Sequence, residues 1–129
     1  MADMKRKSVK QLINEIQDLE RRGHDILEDL LKEGPLLSGS ISEVKRKCGK
    51  PNCYCAKGDN GHVQLQLVYT ERGTRRSRIV RKADVMQVRE WAERAKRYKE
   101  ALAKLQAIQN EQIGLLNDLK TAKSKVYNP

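Results

Sequence analysis

Two stretches of the chain, one towards each end, carry apolar residues at alternating intervals of three and four positions. In the first stretch these residues are Val9, Leu12, Ile16, Leu19, Ile26 and Leu30, with Gly23 interrupting the pattern between Leu19 and Ile26. In the second stretch Gln109 and Gln112 interrupt the pattern, and the apolar residues are Val88, Trp91, Ala95, Tyr98, Leu102, Leu105, Leu116 and Leu119. This spacing is typical of the seam of a coiled-coil helix. We therefore predict one long helix over residues 4–33, ended by Gly34 and Pro35, and a second over residues 83–123.

The residues between the two helices follow a different period. Every second residue from Val63 to Tyr69 is apolar, which is typical of a half-buried strand. A turn at residues 71–74 and a returning strand over residues 75–80 complete a hairpin, and residues 40–45 are a candidate third strand. Because a lone hairpin is marginally stable in water, this small antiparallel sheet needs a helix or a metal to support it.

Three cysteines and one histidine lie close together between the predicted strands. Four, one and six residues separate them in turn, and glycines and a proline between them allow a tight backbone. Zinc prefers four thiolate and imidazole ligands in a tetrahedron, and a site filled by four protein ligands is structural, not catalytic. We predict one structural zinc ion per chain. The alternative is that the cysteines are free thiols in a loop and the histidine lies on the surface. The predicted ligands are Cys48, Cys53, Cys55 and His62.

This segment resembles a family of short, uncharacterised prokaryotic proteins that are often found near mobile elements. The shared signature is Cys-Gly-Lys-Pro-x-Cys-x-Cys, matched here by residues 48–55, followed by Gly58 and His62. The resemblance covers about residues 38–105. The family continues after the histidine with Gly-Pro-Tyr, whereas this chain has Val63-Gln64-Leu65 there. The resemblance implies a shared Cys/His site, two strands and a long charged helix, and it implies no activity.

Together these patterns predict an α+β fold that is mainly α. Aromatic residues make up only 4% of the chain and phenylalanine is absent, which argues against a thick globular core. Neither long helix can bury its apolar stripe alone. We expect a single domain over residues 1–129, in which the helices form an antiparallel helical hairpin (coiled coil). The small β-hairpin/zinc unit, residues 38–82, lies between them in the chain.

Positive charge is concentrated in the middle of the chain. Of the formal net charge of +10, residues 43–82 contribute +8, from 11 basic and 3 acidic side chains. Such clustering is typical of a surface that binds a polyanion. The alternatives are that the charge only keeps the protein soluble, or that the arginines form local salt bridges. The candidate nucleic-acid-binding residues are Lys45, Arg46, Lys47, Lys50, Arg72, Arg75, Arg76, Arg78, Arg81 and Lys82.

The sequence favours a small zinc-stapled accessory or regulatory protein that contacts the phosphates of DNA or RNA. Aromatic residues near the basic segment are too few for a stacking platform, so backbone contacts with weak sequence preference are expected. The alternative is a coiled-coil interaction or assembly module without a nucleic-acid partner, in which the helices bind a second copy or another protein. We expect no enzymatic activity, because no catalytic set of side chains is recognisable. No apolar run approaches the ~18 residues of a membrane span, so we expect a cytoplasmic protein without a membrane partner.

Overall fold

The computed structural model describes residues 6–46 and 62–129, and the α+β, mainly helical fold class is confirmed there. Along the chain the elements are helix α1 (Val9–Lys32), strands β1 (Ser40–Arg46), β2 (His62–Glu71) and β3 (Thr74–Ile79), and helix α2 (Val85–Lys123). The strands form one antiparallel sheet in the order β1-β2-β3. The predicted ligands Cys48, Cys53 and Cys55 lie outside the described residues, as do Lys47 and Lys50.

Helix α1 begins later than predicted because Ser8 caps it. The Ser8 hydroxyl accepts a hydrogen bond from the Gln11 backbone N–H at 3.1 Å, and the Gln11 side chain accepts one from the Ser8 N–H at 2.8 Å. This reciprocal capping box satisfies two N–H groups that have no partner inside the helix. At the other end the C-cap is Glu33, which is extended with φ −63° and ψ 140°, so the helix ends directly before Gly34 and Pro35.

The backbone forms two compact units. The helical unit comprises Met1–Glu33 and Tyr98–Pro129, and the sheet unit comprises Gly34–Arg97. Helix α2 follows a single 3₁₀ turn, Lys82–Asp84, and contributes residues to both units. No helix in the described part of the chain is long and apolar enough to cross a membrane.

The helical unit has a narrow apolar core. Leu12, Leu19 and Leu115 are buried, and Ile16, Ile108 and Leu119 pack against them. Some charged side chains on the surface of α1 are paired within the helix, as Asp18 is with Arg21 at 3.3 Å and with Arg22 at 3.9 Å. Just before the helix, the Lys7 ammonium donates a hydrogen bond to Glu15 at 2.8 Å, which raises the pKa of Lys7 above its usual 10.5.

The sheet unit is supported by the first turns of α2. Leu65 on β2 and Val88 on α2 are both buried. Arg89 on α2 reaches Glu43 on β1 at 2.8 Å, and the Leu37 backbone N–H donates to the Trp91 carbonyl at 3.1 Å. These contacts provide the helix packing that a small sheet needs.

Candidate functional site

The register of the sheet fixes which basic residues share a face. Leu67 pairs with Arg78 and Tyr69 with Arg76, so these arginines lie on the same face as buried Leu65, here called the Leu65 face. Thr70 pairs with Arg75, and these two residues lie on the opposite face, here called the Arg75 face. Consecutive strand residues alternate between faces, so adjacent arginines of β3 have different surroundings.

On the Leu65 face the two arginines of β3 already have neighbours. Arg76 forms an ion pair with Glu71 at 3.6 Å. The Arg78 guanidinium lies 5.8 Å from the centre of the Tyr69 ring, within the range of a cation–π interaction. The salt-bridged interpretation therefore describes Arg76, although an exposed pair of this kind adds little stability and can be exchanged for a phosphate.

Beyond β3, Arg81 forms an ion pair with Asp84 at 3.1 Å. The remaining described cations of the predicted set have no carboxylate within ion-pair distance in residues 6–46 and 62–129. They are the exposed side chains of Lys45, Arg72, Arg75 and Lys82. For Arg46 the structure gives only its place in the backbone, as the last residue of β1.

Arg72 occupies an unusual backbone conformation at the tip of the β2–β3 hairpin. Arg72 has φ +50° and Gly73 has φ +79°. A two-residue hairpin turn with both φ angles positive follows the right-handed twist of the strands and favours Asn-Gly at these positions. Arginine is a poorer choice than asparagine where φ is positive. A cation is therefore present where the local backbone does not favour it, which is typical of a functional position.

A cleft on the Arg75 face was not predicted from the sequence. It is lined by Ser38, Gly39, Ser40, Val68, Tyr69, Thr70 and Arg75. Finding it required the pairing of Ser40 with Val68, which brings the start of β1 beside the end of β2. The sequence signal was Ser38-Gly39-Ser40 at the start of β1, which is weak without the strand register.

The predicted zinc site can be located only through His62. This residue is half-buried at the start of β2 and pairs with Arg46 at the end of β1, so the two ends of the 47–61 connection are adjacent. In the residues that the structure describes, no three His, Cys, Asp or Glu side chains are placed to hold a metal ion. The four-ligand zinc site stays a prediction.

Comparison with known proteins identifies a family. The family model for a domain of unknown function, DUF6788, matches residues 16–90. The chain belongs to the DUF6788 family. The matched range runs from the middle of α1 through all three strands into α2, and it contains the whole basic segment 43–82. No curated protein and no solved structure matches the chain.

Proposed function

We propose that this DUF6788 protein binds DNA or RNA through phosphate contacts made by its sheet unit, as a small accessory or regulatory protein. The observation that carries the proposal is the set of exposed cations in the basic segment that have no carboxylate within ion-pair distance among the described residues: Lys45, Arg72, Arg75, Arg78 and Lys82. Guanidinium groups can bind phosphate oxygens with two donors, and these groups need no rearrangement of existing ion pairs to do so.

The experiment is a titration of the protein against labelled duplex DNA and RNA of random sequence at several salt concentrations. If the protein neutralises four to six phosphates of a duplex, the logarithm of affinity should fall against the logarithm of salt with a slope of about −4 to −5. Different random sequences should bind with similar affinity, because phosphate contacts carry no base information. No binding to either polymer at low salt would contradict the proposal.

We also propose that a structural zinc ion holds the connection between β1 and β2. The pairing of Arg46 with His62 supports this, since it brings together the two ends of the connection whose sequence contains the three cysteines. Protein purified without chelator should contain about one zinc per chain, and Cys53→Ser should lose it while retaining most of its helical signal. A metal-free wild type would contradict the zinc proposal and leave the phosphate contacts to be judged separately. The mobile-element context implied by the sequence resemblance stays a prediction.

For the helical unit we propose an antiparallel helical hairpin. Near the start of α1, Leu12 shares a cluster with Leu115 and Leu119. Further along, Glu20 accepts a hydrogen bond from Gln112 at 2.9 Å, and a side chain at Gly23 would meet Leu105 and Ile108 at 3.5 Å. The residue numbers of the α2 partners thus decrease as the residue numbers along α1 increase, which is the order of an antiparallel pair. Cysteine pairs introduced at Glu20 and Gln112 should cross-link within one chain, whereas cross-links formed only between chains would contradict the hairpin.

The alternative function, an interaction module without nucleic acid, is favoured by one observation on α2. Leu102, Ile113 and Leu116 are 50%, 57% and 50% exposed, and around α2 they lie between about a quarter and nearly half a turn from the core residue Leu115. Leu102 precedes Gln109 by seven residues and Leu116 follows it by seven. A second copy of the chain fits this stripe, because antiparallel α2 helices would pair leucine with leucine and Gln109 with its own copy.

Sedimentation equilibrium tests this alternative. A dimer of the wild type that Leu116→Asp converts to monomer, while Met86→Asp leaves it intact, would support self-association through the stripe. Met86 is 86% exposed and lies outside the sequence 102–116, so it controls for added charge. A dimer without affinity for nucleic acid would favour the interaction module, whereas a monomer at all concentrations would exclude this form of it.

A further inference from the structure

We propose that the cleft on the Arg75 face is the subsite that holds one backbone phosphate of the bound nucleic acid. This inference rests on the proposed function. It assigns one phosphate to a defined cleft, in place of attraction by diffuse surface charge. The cleft lies where the start of β1 meets the end of the β2–β3 hairpin, since Ser40 pairs with Val68 and Thr70 pairs with Arg75.

The chemistry of the lining fits an oxyanion. Ser38, Ser40 and Thr70 each bring a hydroxyl that can donate a hydrogen bond, and Arg75 brings five N–H donors in a planar fork. No carboxylate is among the residues that line the cleft, so no acidic side chain competes with an incoming anion. A tetrahedral phosphate with several acceptor oxygens can use donors that arrive from three strands.

Gly39 allows the chain entering β1 to approach β2 closely. Its φ is +109°, and a Cβ there would lie 2.3 Å from the Val68 carbonyl oxygen and 3.0 Å from the Tyr69 Cβ. Only glycine allows this close approach of the chain to β2. The two serines on either side of Gly39 are therefore held beside β2, with no side chain between them.

The neighbouring cations indicate a polymer of phosphates and not an isolated anion. Arg72 lies at the tip of the same hairpin and is exposed, and it has no carboxylate partner in the described ranges 6–46 and 62–129. A phosphodiester chain that places one phosphate in the cleft can continue past Arg72. Three neutral hydroxyls and one guanidinium would bind a single free phosphate weakly, so affinity depends on the successive contacts.

Arg75 and Arg76 provide a matched pair for the test. They are adjacent in β3 and both exposed, and each Ala substitution removes one positive charge, but only Arg75 lines the cleft. Arg75→Ala should weaken binding to duplex DNA about tenfold or more and reduce the salt slope by about 1, as expected for a lost charged hydrogen bond and one phosphate. Arg76→Ala should have less than half of both effects, because its guanidinium is paired with Glu71.

A second variant separates hydrogen bonding from charge. The double change Ser40→Ala and Thr70→Ala removes two donors and no charge, so it should lower affinity for duplex DNA several-fold and leave the salt slope unchanged. Circular dichroism and thermal melting of each variant check that the sheet remains folded. The inference is supported if Arg75→Ala and the double hydroxyl variant unfold at the same temperature as the wild type but bind duplex DNA more weakly.

Two outcomes would overturn the inference and can be told apart. Equal losses of affinity from Arg75→Ala and Arg76→Ala, with no loss from the double hydroxyl change, would mean that the protein binds nucleic acid but not through the cleft. No binding of DNA or RNA by the wild-type protein at low salt would remove both the subsite and the proposed function.

Discussion

In the helical unit basic and acidic side chains nearly balance, at 12 and 11, whereas in residues 34–97 the basic ones outnumber the acidic ones by 15 to 6. The helical unit also has the larger buried cluster, around Leu12, Leu19 and Leu115, while in the sheet unit the buried apolar residues are Leu65 and Val88 among those described. Buried apolar packing and excess positive charge are thus concentrated in different regions. Substitutions should separate the two properties.

The largest effect is expected where charge is forced into the helical core. Leu19 is only 3% exposed, and Leu19→Asp would bury a carboxylate without a partner. We expect the free energy of unfolding to fall by about 3–5 kcal/mol in chemical denaturation monitored by circular dichroism. Leu31→Asp on the same helix is the control, because Leu31 is 77% exposed and should lose less than about 1 kcal/mol. Equal losses would contradict the packing described for α1.

A smaller loss is expected in the sheet unit from Gly39→Ala. The added Cβ would meet the Val68 carbonyl oxygen at a backbone φ of +109°, so both strain and a clash oppose it. We expect a loss of about 2–3 kcal/mol in the free energy of unfolding. Gly73→Ala also has a positive φ, of +79°, but nothing lies within 4 Å of the new atom, and it should cost about 1 kcal/mol. A milder effect at Gly39 than at Gly73 would contradict the close approach of the chain to β2.

The smallest effect on stability should be of opposite sign. Arg72→Asn places the favoured residue at a turn position with φ +50°, so the free energy of unfolding should rise by about 0.5 kcal/mol. The same change removes an exposed cation and should weaken binding to duplex DNA. A variant that is more stable and binds less tightly would show that the hairpin tip is selected for contact and not for folding. If Arg72→Asn binds duplex DNA as tightly as the wild type, Arg72 is not part of the interface.

Local patterns were sufficient to predict the two helices, the three strands and the fold class. The alternation from Val63 to Tyr69 identified β2, and Arg72-Gly73 fell in the predicted turn. The start of α1 could have been placed correctly from Ser8 and Gln11, whose spacing is that of a capping box. The end of α1 was harder to predict, because the C-cap residue is an extended Glu33 and not Gly34.

The candidate site was only partly readable, because its chemistry depends on contacts between strands. Net charge located the basic segment, but it did not distinguish Arg75 from Arg76. That distinction comes from the alternation of faces and from Glu71, which lies across the hairpin from Arg76. The cleft depends on the pairing of β1 with β2, and the local sequence of Ser38, Gly39 and Ser40 does not specify a partner strand. The zinc prediction depends on cysteines outside the described residues.

The most direct test of the proposed function compares salt dependence after equal charge removal in the two units. One variant replaces Arg72, Arg75 and Lys82 in the sheet unit with alanine, and the other replaces Lys99, Lys104 and Lys120 in the helical unit. Both remove three exposed cations from the same protein. If the sheet unit holds the phosphates, the first variant should flatten the salt slope for duplex DNA by up to about 3, and the second should change it by well under 1. Equal flattening by the two variants would contradict a localised interface and show that the charge acts diffusely over the whole chain.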